Sequence, residues 1–339
     1  MHITLVDDSI AFDGFTPSSR PLGGAEKAFA SLPGALARRG HTVEVYNRCR
    51  WAMTVEDARW NGWDGRKPLA TDLLIAFRKP SLLEFMRQAR RRVLWHTGPG
   101  RMLERRATRI LLADNQASVL LVSDAQRGET ESPVAGTLPP ALRKDFLADI
   151  AMRPRVPPTA VVTTHPAHGL DRLLDLWAAR IRPMVPEAEL QVYSTTLANA
   201  AEGEAPPPDL AAIAAKVLAL AEHGVTVLRP QGDQLMADAF RQARVHLYPG
   251  HADDVTAFTL MESQAVGVPA VARRLGAAPG RIADGRSGMV AADDESFANL
   301  AVLLLSDDQL YRSQSAEARA LYRGRDWDAA AAALETMLP

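Results

Sequence analysis

Short apolar runs alternate with amphipathic helical segments along almost the whole chain of 339 residues. In the first half, HITLVDD has the pattern of a buried strand and AEKAFASLPGALARRG that of a helix ending at Gly40. The apolar runs that continue the alternation are HTVEVYN, DLLIAF, VLWH and SVLLVS. Regular alternation of this kind is typical of parallel, doubly wound sheets, so we predict an α/β fold.

A proline-rich segment interrupts the alternation once. Residues 152–159, MRPRVPPT, hold three prolines in eight positions and resemble an interdomain linker. The same pattern restarts after it, and the chain is longer than a single hydrophobic core usually supports. We therefore predict one domain over 1–153 and a second over 159–322. The last segment, 323–339, is predicted to be a helix capped by Asp326.

The composition is that of an ordinary soluble protein, with 47% hydrophobic and 23% charged residues. No apolar run approaches the roughly 20 residues that a membrane-spanning helix needs. The first residues enter a strand without an apolar leader, and the single cysteine, Cys49, fits a reducing compartment. We therefore expect a cytoplasmic protein.

Charge is unevenly distributed between the two halves. Residues 1–155 hold 24 basic and 17 acidic residues, a net charge of +7. The remainder holds 15 basic and 23 acidic residues, a net charge of −8. The basic half could face anionic lipid, acidic glycan or nucleic acid, or it could be a solvated arginine surface. Arg101, Arg105 and Arg109 have the spacing of one helical face, with Arg106 beside them, which favours a membrane surface.

Two motifs in the first half could contact a ligand. Gly23 and Gly24 precede a predicted helix, so the backbone can approach an anion or hydroxyl closely, although such pairs are also common in loops. No GxGxxG fingerprint and no P-loop is present. His96 ends a predicted strand before a Gly-Pro-Gly loop, where a histidine can carry a proton but is more often structural.

The second half offers a strand-to-helix turn at TTHPAHGLD, residues 163–171. Gly169 and the helix after it would form a cradle for a diphosphate, with His165 or His168 supplying positive charge. The alternative is an ordinary loop with solvated histidines.

A pair of carboxylates lies in DVTAFTLMESQAVGVPAVA, residues 254–272. We expect Glu262 to open a helix above the buried strand 268–272, at the edge where open α/β sheets bind ligands. Carboxylates there can accept paired hydrogen bonds from sugar hydroxyls, so Asp254 and Glu262 indicate a sugar or nucleotide-sugar site. The alternative is that Glu262 caps its helix and Asp254 lies on a loop surface. We expect no metal site, since HExxH and CxxC are absent and Asp253 beside Asp254 is weak evidence for Mg²⁺.

Taken in order, these motifs resemble the GT-B glycosyltransferases of family 4, which are retaining enzymes that use nucleotide sugars. The resemblance covers almost the whole chain. Its motifs are RPLGGAEKAFASLPGALARRGHTVEVYN, LLVSDAQRGE, HGLDRLLDLWAARIRPMVPEAELQVY, DVTAFTLMESQAVGVPAVA, RIADGRSGMVAADD and RDWDAAAAAL. It implies two Rossmann-like doubly wound parallel-sheet domains facing across a cleft. The acceptor domain would be 1–153, the donor domain 159–322, and the helix in 323–339 would cross back to the first domain.

The resemblance also implies roles for individual residues. Glu262 would hold the donor ribose, Asp254 the transferred sugar, and His96 would lie near the reacting carbon. The remaining residues implied to bind the donor are Gly23, Gly24, Thr163, His168, Gly169, Arg229, Thr256, Ala257, Phe258 and Thr259. The backbone amides implied to face the donor are those of Gly276, Ala277 and Ala278.

The chain departs from the family where charge is usually concentrated. The family places an arginine and a lysine at the diphosphate, and these positions are Thr163 and His168 here. A glutamate is replaced by Asp254 and another by Gly280. Two lost charge-assisted contacts would cost about 1.5 to 3 kcal/mol each. The arginines that could substitute are Arg127, Arg229 and Arg281.

We therefore expect a retaining, metal-independent hexosyltransferase in bacterial surface polysaccharide or glycoconjugate synthesis. Its co-substrate would be a nucleotide-diphosphate sugar, with no cofactor, and its acceptor a glycan or lipid-linked hydroxyl compound. It would contact anionic membrane peripherally, at the inner face, and would not bind nucleic acid. The alternatives are a non-catalytic GT-B scaffold with a degenerate diphosphate site and, with weaker motif support, a sugar-nucleotide epimerase.

Overall fold

The computed structural model describes residues 1–338 and divides into two compact units. Unit 1 comprises Met1–Arg143 and the chain from Gly324 onward, and unit 2 comprises Lys144–Arg323. Within the described chain, no helix combines the length and apolar character needed to cross a membrane.

Unit 1 is built on an eight-stranded sheet with α-helices around it. Its strands are β1 (His2–Val6), β2 (Thr42–Asn47), β3 (Met53–Val55), β4 (Ala58–Gly62), β5 (Ala70–Phe77), β6 (Gln88–His96), β7 (Ser118–Leu121) and β8 (Val134–Thr137). Its first helices are α1 (Thr16–Ser19), α2 (Gly24–Arg38) and α3 (Arg106–Asp114), with 3₁₀ turns at Pro80–Glu84, Gly100–Met102 and Asp124–Glu129. The sheet order is β3-β4-β2-β1-β5-β6-β7-β8.

All neighbouring strands of unit 1 are parallel except β3 and β4, which form an antiparallel hairpin at the sheet edge. Glu56 and Asp57 make its two-residue turn with φ of 49° and 63°. This hairpin was not predicted, because its turn has neither glycine nor asparagine to signal positive φ. The central strands are buried on both faces, as parallel strands covered by helices must be.

Unit 2 is built on a six-stranded, wholly parallel sheet. Its strands are β9 (Thr159–Val162), β10 (Glu189–Tyr193), β11 (Val225–Leu228), β12 (Val245–Tyr248), β13 (Ala270–Arg273) and β14 (Gly288–Ala291). Its helices are α4 (Lys144–Leu147), α5 (Leu170–Leu176), α6 (Thr195–Ala201), α7 (Ala211–Ala219), α8 (Asp233–Arg241), α9 (Phe258–Val266), α10 (Asp294–Ser306) and α11 (Asp308–Tyr322). A π-helical turn follows α5 at Trp177–Ile181, and 3₁₀ turns lie at Pro208–Leu210, Ala221–His223 and Ala278–Arg281.

The strand order of unit 2 is β11-β10-β9-β12-β13-β14, the 3-2-1-4-5-6 order of Rossmann domains. The prediction of doubly wound parallel α/β domains is therefore confirmed. The order reverses between β9 and β12, and the carboxyl ends of those two strands mark the crevice where this fold binds ligands. A continuous apolar core from β9, β10 and β12 packs against α5 and α10 and supports that edge.

The division between the units lies at Arg143, ahead of the predicted boundary at 153. The stretch after it is attached to unit 2, because the ring of Phe146 packs 6.3 Å from that of Phe240. The amides of Arg153 and Arg155 also donate to carbonyls at the end of α8. The proline-rich stretch therefore begins within unit 2.

The last helix, α12 (Trp327–Met337), packs on α2 within unit 1. Its N-cap is Asp326, whose Oδ1 accepts from the amide of Ala329 at 2.8 Å, as predicted. Glu335 on its exposed face pairs with Arg39 at 2.6 Å and with His41.

Candidate functional site

Loops from the two strands at the sheet reversal of unit 2 come together. The first runs from Thr163 to Gly169 after β9, and the second from Pro249 to Ala257 after β12. Gly169 has φ of 87°, and a Cβ there would lie 3.0 Å from the Cβ of Pro249, so glycine permits the close approach. The topology thus places most of the predicted donor-binding residues at one edge.

Glu262 lies inside α9 rather than at its start. The helix begins at Phe258, and Glu262 is its fifth residue, only 2% exposed. The predictions that Glu262 opens the helix, or caps it, are therefore both wrong. Ala257 takes the N-cap position in the left-handed conformation, with φ of 45°. Glu262 is therefore a buried carboxylate in the second turn of α9.

Asp254 organises the loop before α9. Its Oδ2 accepts from the hydroxyl of Tyr248, and its Oδ1 accepts from the amide of Ala257 at 2.9 Å. The amide and hydroxyl of Thr256 donate to the same Oδ1. Burial and the neighbouring Asp254 carboxylate raise the pKa of Tyr248 well above its ordinary value, so the phenol remains a proton donor. Oδ1 therefore holds the backbone that sets up the left-handed Ala257, while the bond from Tyr248 to Oδ2 fixes the carboxylate in place.

A third loop, after β13, packs against the loop that contains Asp254, residues 249–257, which we call the Asp254 loop. Gly276 has φ of 53°, and the amide of Ala277 donates to the carbonyl of Asp254 at 2.8 Å. Ala278 begins the next 3₁₀ turn. The structure thus brings Gly276, Ala277 and Ala278 to the same edge as Asp254. A Cβ added at Gly280, by contrast, would have no atom within 4 Å of it, so that position is open.

Thr163 belongs to a buried chain of neutral hydrogen bonds. Its hydroxyl donates to that of Thr259 at 2.8 Å and lies 3.1 Å from Nε2 of His246. The other ring nitrogen of His246 lies 2.7 Å from the hydroxyl of Ser263. Burial lowers the pKa of His246 to about 3, so this ring is neutral. Thr163 thus ties β9 to α9 without placing a charge beneath the helix.

His168 stacks on His251, with ring centroids 4.6 Å apart and planes inclined by 15°. The centroid of the His165 ring lies 5.4 Å from that of His168. Burial, and then the proximity of His251, lower the pKa of His168. The motif analysis did not identify His251, because the residue precedes the carboxylate pair in a loop with no periodic signal.

The three arginines considered as substitute cations already have polar partners. Arg229 donates to Asn199 at 2.5 Å and to Glu202 at 2.7 Å, next to α6. Arg281 is buried, and its Nε donates to the carbonyl of Thr256 at 3.2 Å. Arg127, in unit 1, pairs with Asp124 at 3.3 Å. Arg281 is the one that lies against the Asp254 loop.

Unit 1 has its own reversal of strand order, between β1 and β5. Gly23 is the N-cap of α2 beside this reversal, and Gly24 is the first residue of the helix. Glu26 on that first turn pairs with Arg78, which follows β5, at 2.5 Å. The glycine pair therefore lies next to a carboxylate and a guanidinium that sequence analysis did not connect.

His96 ends β6 as predicted but is only 4% exposed. Its Nε2 lies 3.0 Å from the carbonyl of Pro99, and its Nδ1 is buried with no hydrogen-bond partner within the described residues. Burial lowers its pKa, so the ring is neutral. The loop after it is held by Gln126, whose side chain amide donates to the carbonyls of His96 and Gly98. Gln126 also caps its own turn with Ser123, a Ser-x-x-Gln capping box that the sequence does signal.

The predicted basic helical face in unit 1 is not continuous. Arg101 belongs to a 3₁₀ turn, and Arg105 is the extended N-cap of α3, so only Arg106 and Arg109 lie on the helix. The prediction that Arg101, Arg105 and Arg109 share one helical face is therefore wrong.

Comparison with protein families gives a match confined to unit 2. Residues 159–307 match the family described as "Glycosyl transferases group 1". A D-inositol 3-phosphate glycosyltransferase of Streptomyces avermitilis is 30% identical over 182 residues, which cover 48% of this chain and 39% of the relative. The match thus spans about two fifths of the length of that curated relative.

Solved structures match over the whole chain. Sucrose-phosphate synthase from Thermosynechococcus elongatus superposes with a TM-score of 0.74 at 13% identity, covering 99% of this chain and 98% of that one. The chain therefore has the GT-B fold, and its unit 2 is similar to the group 1 glycosyltransferases. Anabaena HepE, solved in complex with UDP-glucose, has a TM-score of 0.71 at 15% identity and covers 100% of this chain and 99% of its own. These likenesses confirm the resemblance to GT-B glycosyltransferases and the GT-B fold class. Membership of family 4 and the roles of individual residues stay predictions.

Proposed function

We propose that the chain is a retaining, family 4 glycosyltransferase that transfers a hexose from a nucleotide-diphosphate sugar to a hydroxyl acceptor. The observation that carries the proposal is the position of Glu262. It is a buried carboxylate on α9, above the reversal of strand order in unit 2 and inside the stretch that matches the glycosyltransferase family. UDP-glucose binding by Anabaena HepE, which shares the fold, supports a nucleotide sugar as donor.

In this proposal Glu262 accepts hydrogen bonds from the two ribose hydroxyls. Asp254 keeps the loop before α9 in place, so that Thr256, Ala257, Phe258 and Thr259 meet the donor. An aspartate suits this position because its oxygens already reach the amide of Ala257 and the hydroxyl of Tyr248. A sugar hydroxyl would replace one of the bonds that Thr256 makes to the same oxygen.

The chemistry we propose needs neither a metal ion nor a protein nucleophile. The acceptor hydroxyl would attack on the face from which the diphosphate leaves, and preorganised donors would stabilise the leaving charge. The donors we propose at this edge of unit 2 are the ring N–H groups of its histidines, because the amides of Ala277 and Ala278 already donate to the carbonyls of Asp254 and Leu275. His96, as a buried neutral ring, would act as a hydrogen-bond partner in unit 1 rather than as a cation.

The proposed acceptor is a glycan or lipid-linked compound, and the basic first half of the chain favours an anionic one. Peripheral contact with an anionic membrane is part of the same proposal, since Ile110, next to Arg109 on α3, is 49% exposed. Flotation with liposomes containing anionic lipid tests this contact. No binding at low salt would remove the membrane from the proposal and leave the donor chemistry standing.

The first experiment is a thermal-shift screen of the full chain against UDP-, GDP-, ADP- and TDP-glucose. A ligand present at 100 times its Kd should stabilise the protein by about 2.7 kcal/mol, which is enough to see. A shift with one nucleotide sugar supports the donor site and names the base. No shift with any of them, in a folded sample, contradicts the proposal.

Glu262→Gln is the decisive variant, because it removes the charge at nearly constant volume. We expect its affinity for the nucleotide sugar to fall by about tenfold to a hundredfold, since charge-assisted hydrogen bonds are worth about 1.5 to 3 kcal/mol. Glu222→Gln, on an exposed turn of the same unit, is the matched control and should bind as the parent does.

A second candidate function is a non-catalytic protein that binds a nucleotide sugar. The hydrogen bonds that hold Thr163 inside the fold favour it, because they fill a position where the family places a cation. Transfer or slow hydrolysis of the bound donor distinguishes the two functions. Tight binding of a nucleotide sugar with no release of nucleotide, with any acceptor tested, would favour the binding protein.

A further inference from the structure

We propose that His251 binds the donor diphosphate together with His168, and that the pair takes up a proton as the nucleotide sugar binds. This inference rests on the proposed function and adds a binding residue and a pH dependence to it. The two rings come from the loops after β9 and after β12, the two strands between which the strand order of unit 2 reverses.

The geometry of the pair favours an anion as its ligand. The rings are nearly parallel and 4.6 Å apart, and Nδ1 of His251 accepts from the amide of Asp253 at 3.1 Å, which leaves Nε2 of that ring to donate to a ligand. His168 occupies the position where the related family carries a lysine, so a ligand that needs a cation there must find one elsewhere. Two imidazoles at this separation repel each other if both are protonated, and an anion removes that repulsion.

The charged groups around the pair either change the tendency of His168 to be protonated or are already paired with one another. Asp253 and Asp254 favour the protonated form of His168, whereas His165 and His251 disfavour it. The two arginines beside the pair are Arg172 and Arg273, and both are paired with Asp294.

A cavity of about 340 Å³ adjoins His251 and gives a ligand room to bind. His251 lines it together with Gly169, Pro249, Leu275 and Phe297. Its volume is within the range of small-molecule sites, and its wall combines apolar side chains with a few polar groups. A sugar or phosphate in this cavity would contact the edge of the His251 ring.

The expected direction of the pH effect follows from the state of the free protein. Because burial and His251 lower the pKa of His168, the ring of His168 is mostly neutral at pH 7.5. A diphosphate beside it would raise the pKa of His168, so binding takes up a proton and strengthens as the pH falls.

The test measures affinity for a nucleotide sugar by calorimetry between pH 8 and pH 6. A nucleotide sugar is the right probe, because its diphosphate diester keeps a constant charge in this range, whereas a free nucleoside diphosphate titrates. The probe is whichever of UDP-, GDP-, ADP- and TDP-glucose gives the largest thermal shift. We expect about tenfold tighter binding at pH 6 than at pH 8, with close to one proton taken up when two buffers of different ionisation enthalpy are compared.

Variants assign the effect to the pair. His251→Gln and His168→Gln should each bind more weakly at pH 6 and lose most of the pH dependence, whereas His168→Lys should bind tightly at both pH values. His223→Gln, an exposed histidine in the same unit, is the control and should keep the parent's slope.

Each outcome decides a different statement. No binding of any of the four nucleotide sugars contradicts the proposed function and the inference with it. Binding with no pH dependence and no proton uptake overturns the inference alone. An unchanged slope in His251→Gln overturns the role of His251. If that variant does not fold, the proton count of the unaltered protein still decides whether a histidine titrates on binding.

Discussion

At the carboxyl edge of the unit 2 sheet, single residues determine the backbone geometry of the loops. Gly276 is the clearest case, because its φ of 53° and its neighbours both exclude a side chain. A Cβ at this position would lie 2.6 Å from the carbonyl oxygen of His251 and closer still to that of Asp254. The loop after β13 can pack on the Asp254 loop only with glycine here.

Gly276→Ala should therefore destabilise the protein. Left-handed strain costs about 1 to 3 kcal/mol, and displacement of the Asp254 loop adds to it. Urea unfolding measures the loss. Gly280→Ala, four residues along in an open position with no positive φ, should change stability by less than about 1 kcal/mol in either direction. Equal effects of the two substitutions would show that the backbone contact at Gly276 is unimportant.

His246 should make stability depend on pH. Its folded-state pKa of about 3 lies below the ordinary value, so the unfolded chain binds an additional proton between these two values. Stability should therefore fall as the pH is lowered from 7 toward 5, by at most about 1.4 kcal/mol per pH unit from this residue. In His246→Gln that contribution is absent. Thermal unfolding midpoints of the two proteins should converge as the pH falls, and a constant difference from pH 7 to pH 5 would contradict this.

At the scale of elements, capping and topology account for what could be predicted from sequence. The Ser-x-x-Gln box at Ser123 and the cap at Asp326 are local signals, because a side chain two or three residues away satisfies the helix amides. The start of α9 was misplaced because it depends on Asp254 holding Ala257 in a left-handed conformation, which no residue propensity indicates. His168 stacks on His251, which lies 83 positions away in the sequence, and no periodic pattern in the sequence indicates this contact.

The cap of α12 gives a prediction at this scale. Asp326→Ala should cost about 1 kcal/mol, because the amide of Ala329 loses its side-chain acceptor. Asp326→Asn keeps an oxygen at the same position and should cost much less. Denaturant unfolding compares the three proteins. A loss as large in the asparagine variant as in the alanine variant would assign the effect to the charge of Asp326 rather than to the cap.

At the scale of the whole molecule, repetition of strand and helix was enough to predict two doubly wound sheets but not the division between them. The proline-rich stretch appeared to be a linker, yet the chain joins unit 2 from Lys144 because Phe146 packs on Phe240. Phe146 and Phe240 are far apart in the sequence, so no local sequence pattern indicates that they pack together. The ligand edge, in contrast, followed from topology, because the carboxyl ends of β9 and β12 must flank the reversal of strand order.

The position of that edge leads to the last prediction, measured by hydrogen exchange across the whole chain. A bound nucleotide sugar should slow exchange in the loops 163–169 and 249–257 and in the first turn of α9. Amides at the opposite edge of the same sheet, in 159–160 and 243–244, serve as the internal control and should not change, because they lie at the amino ends of β9 and β12. The effect should exceed tenfold in exchange rate wherever ligand binding adds more than about 1.4 kcal/mol to local opening. Protection at the amino ends of these strands, with none at the carboxyl ends, would place the donor on the wrong side of the sheet for Glu262 and would contradict the proposed site.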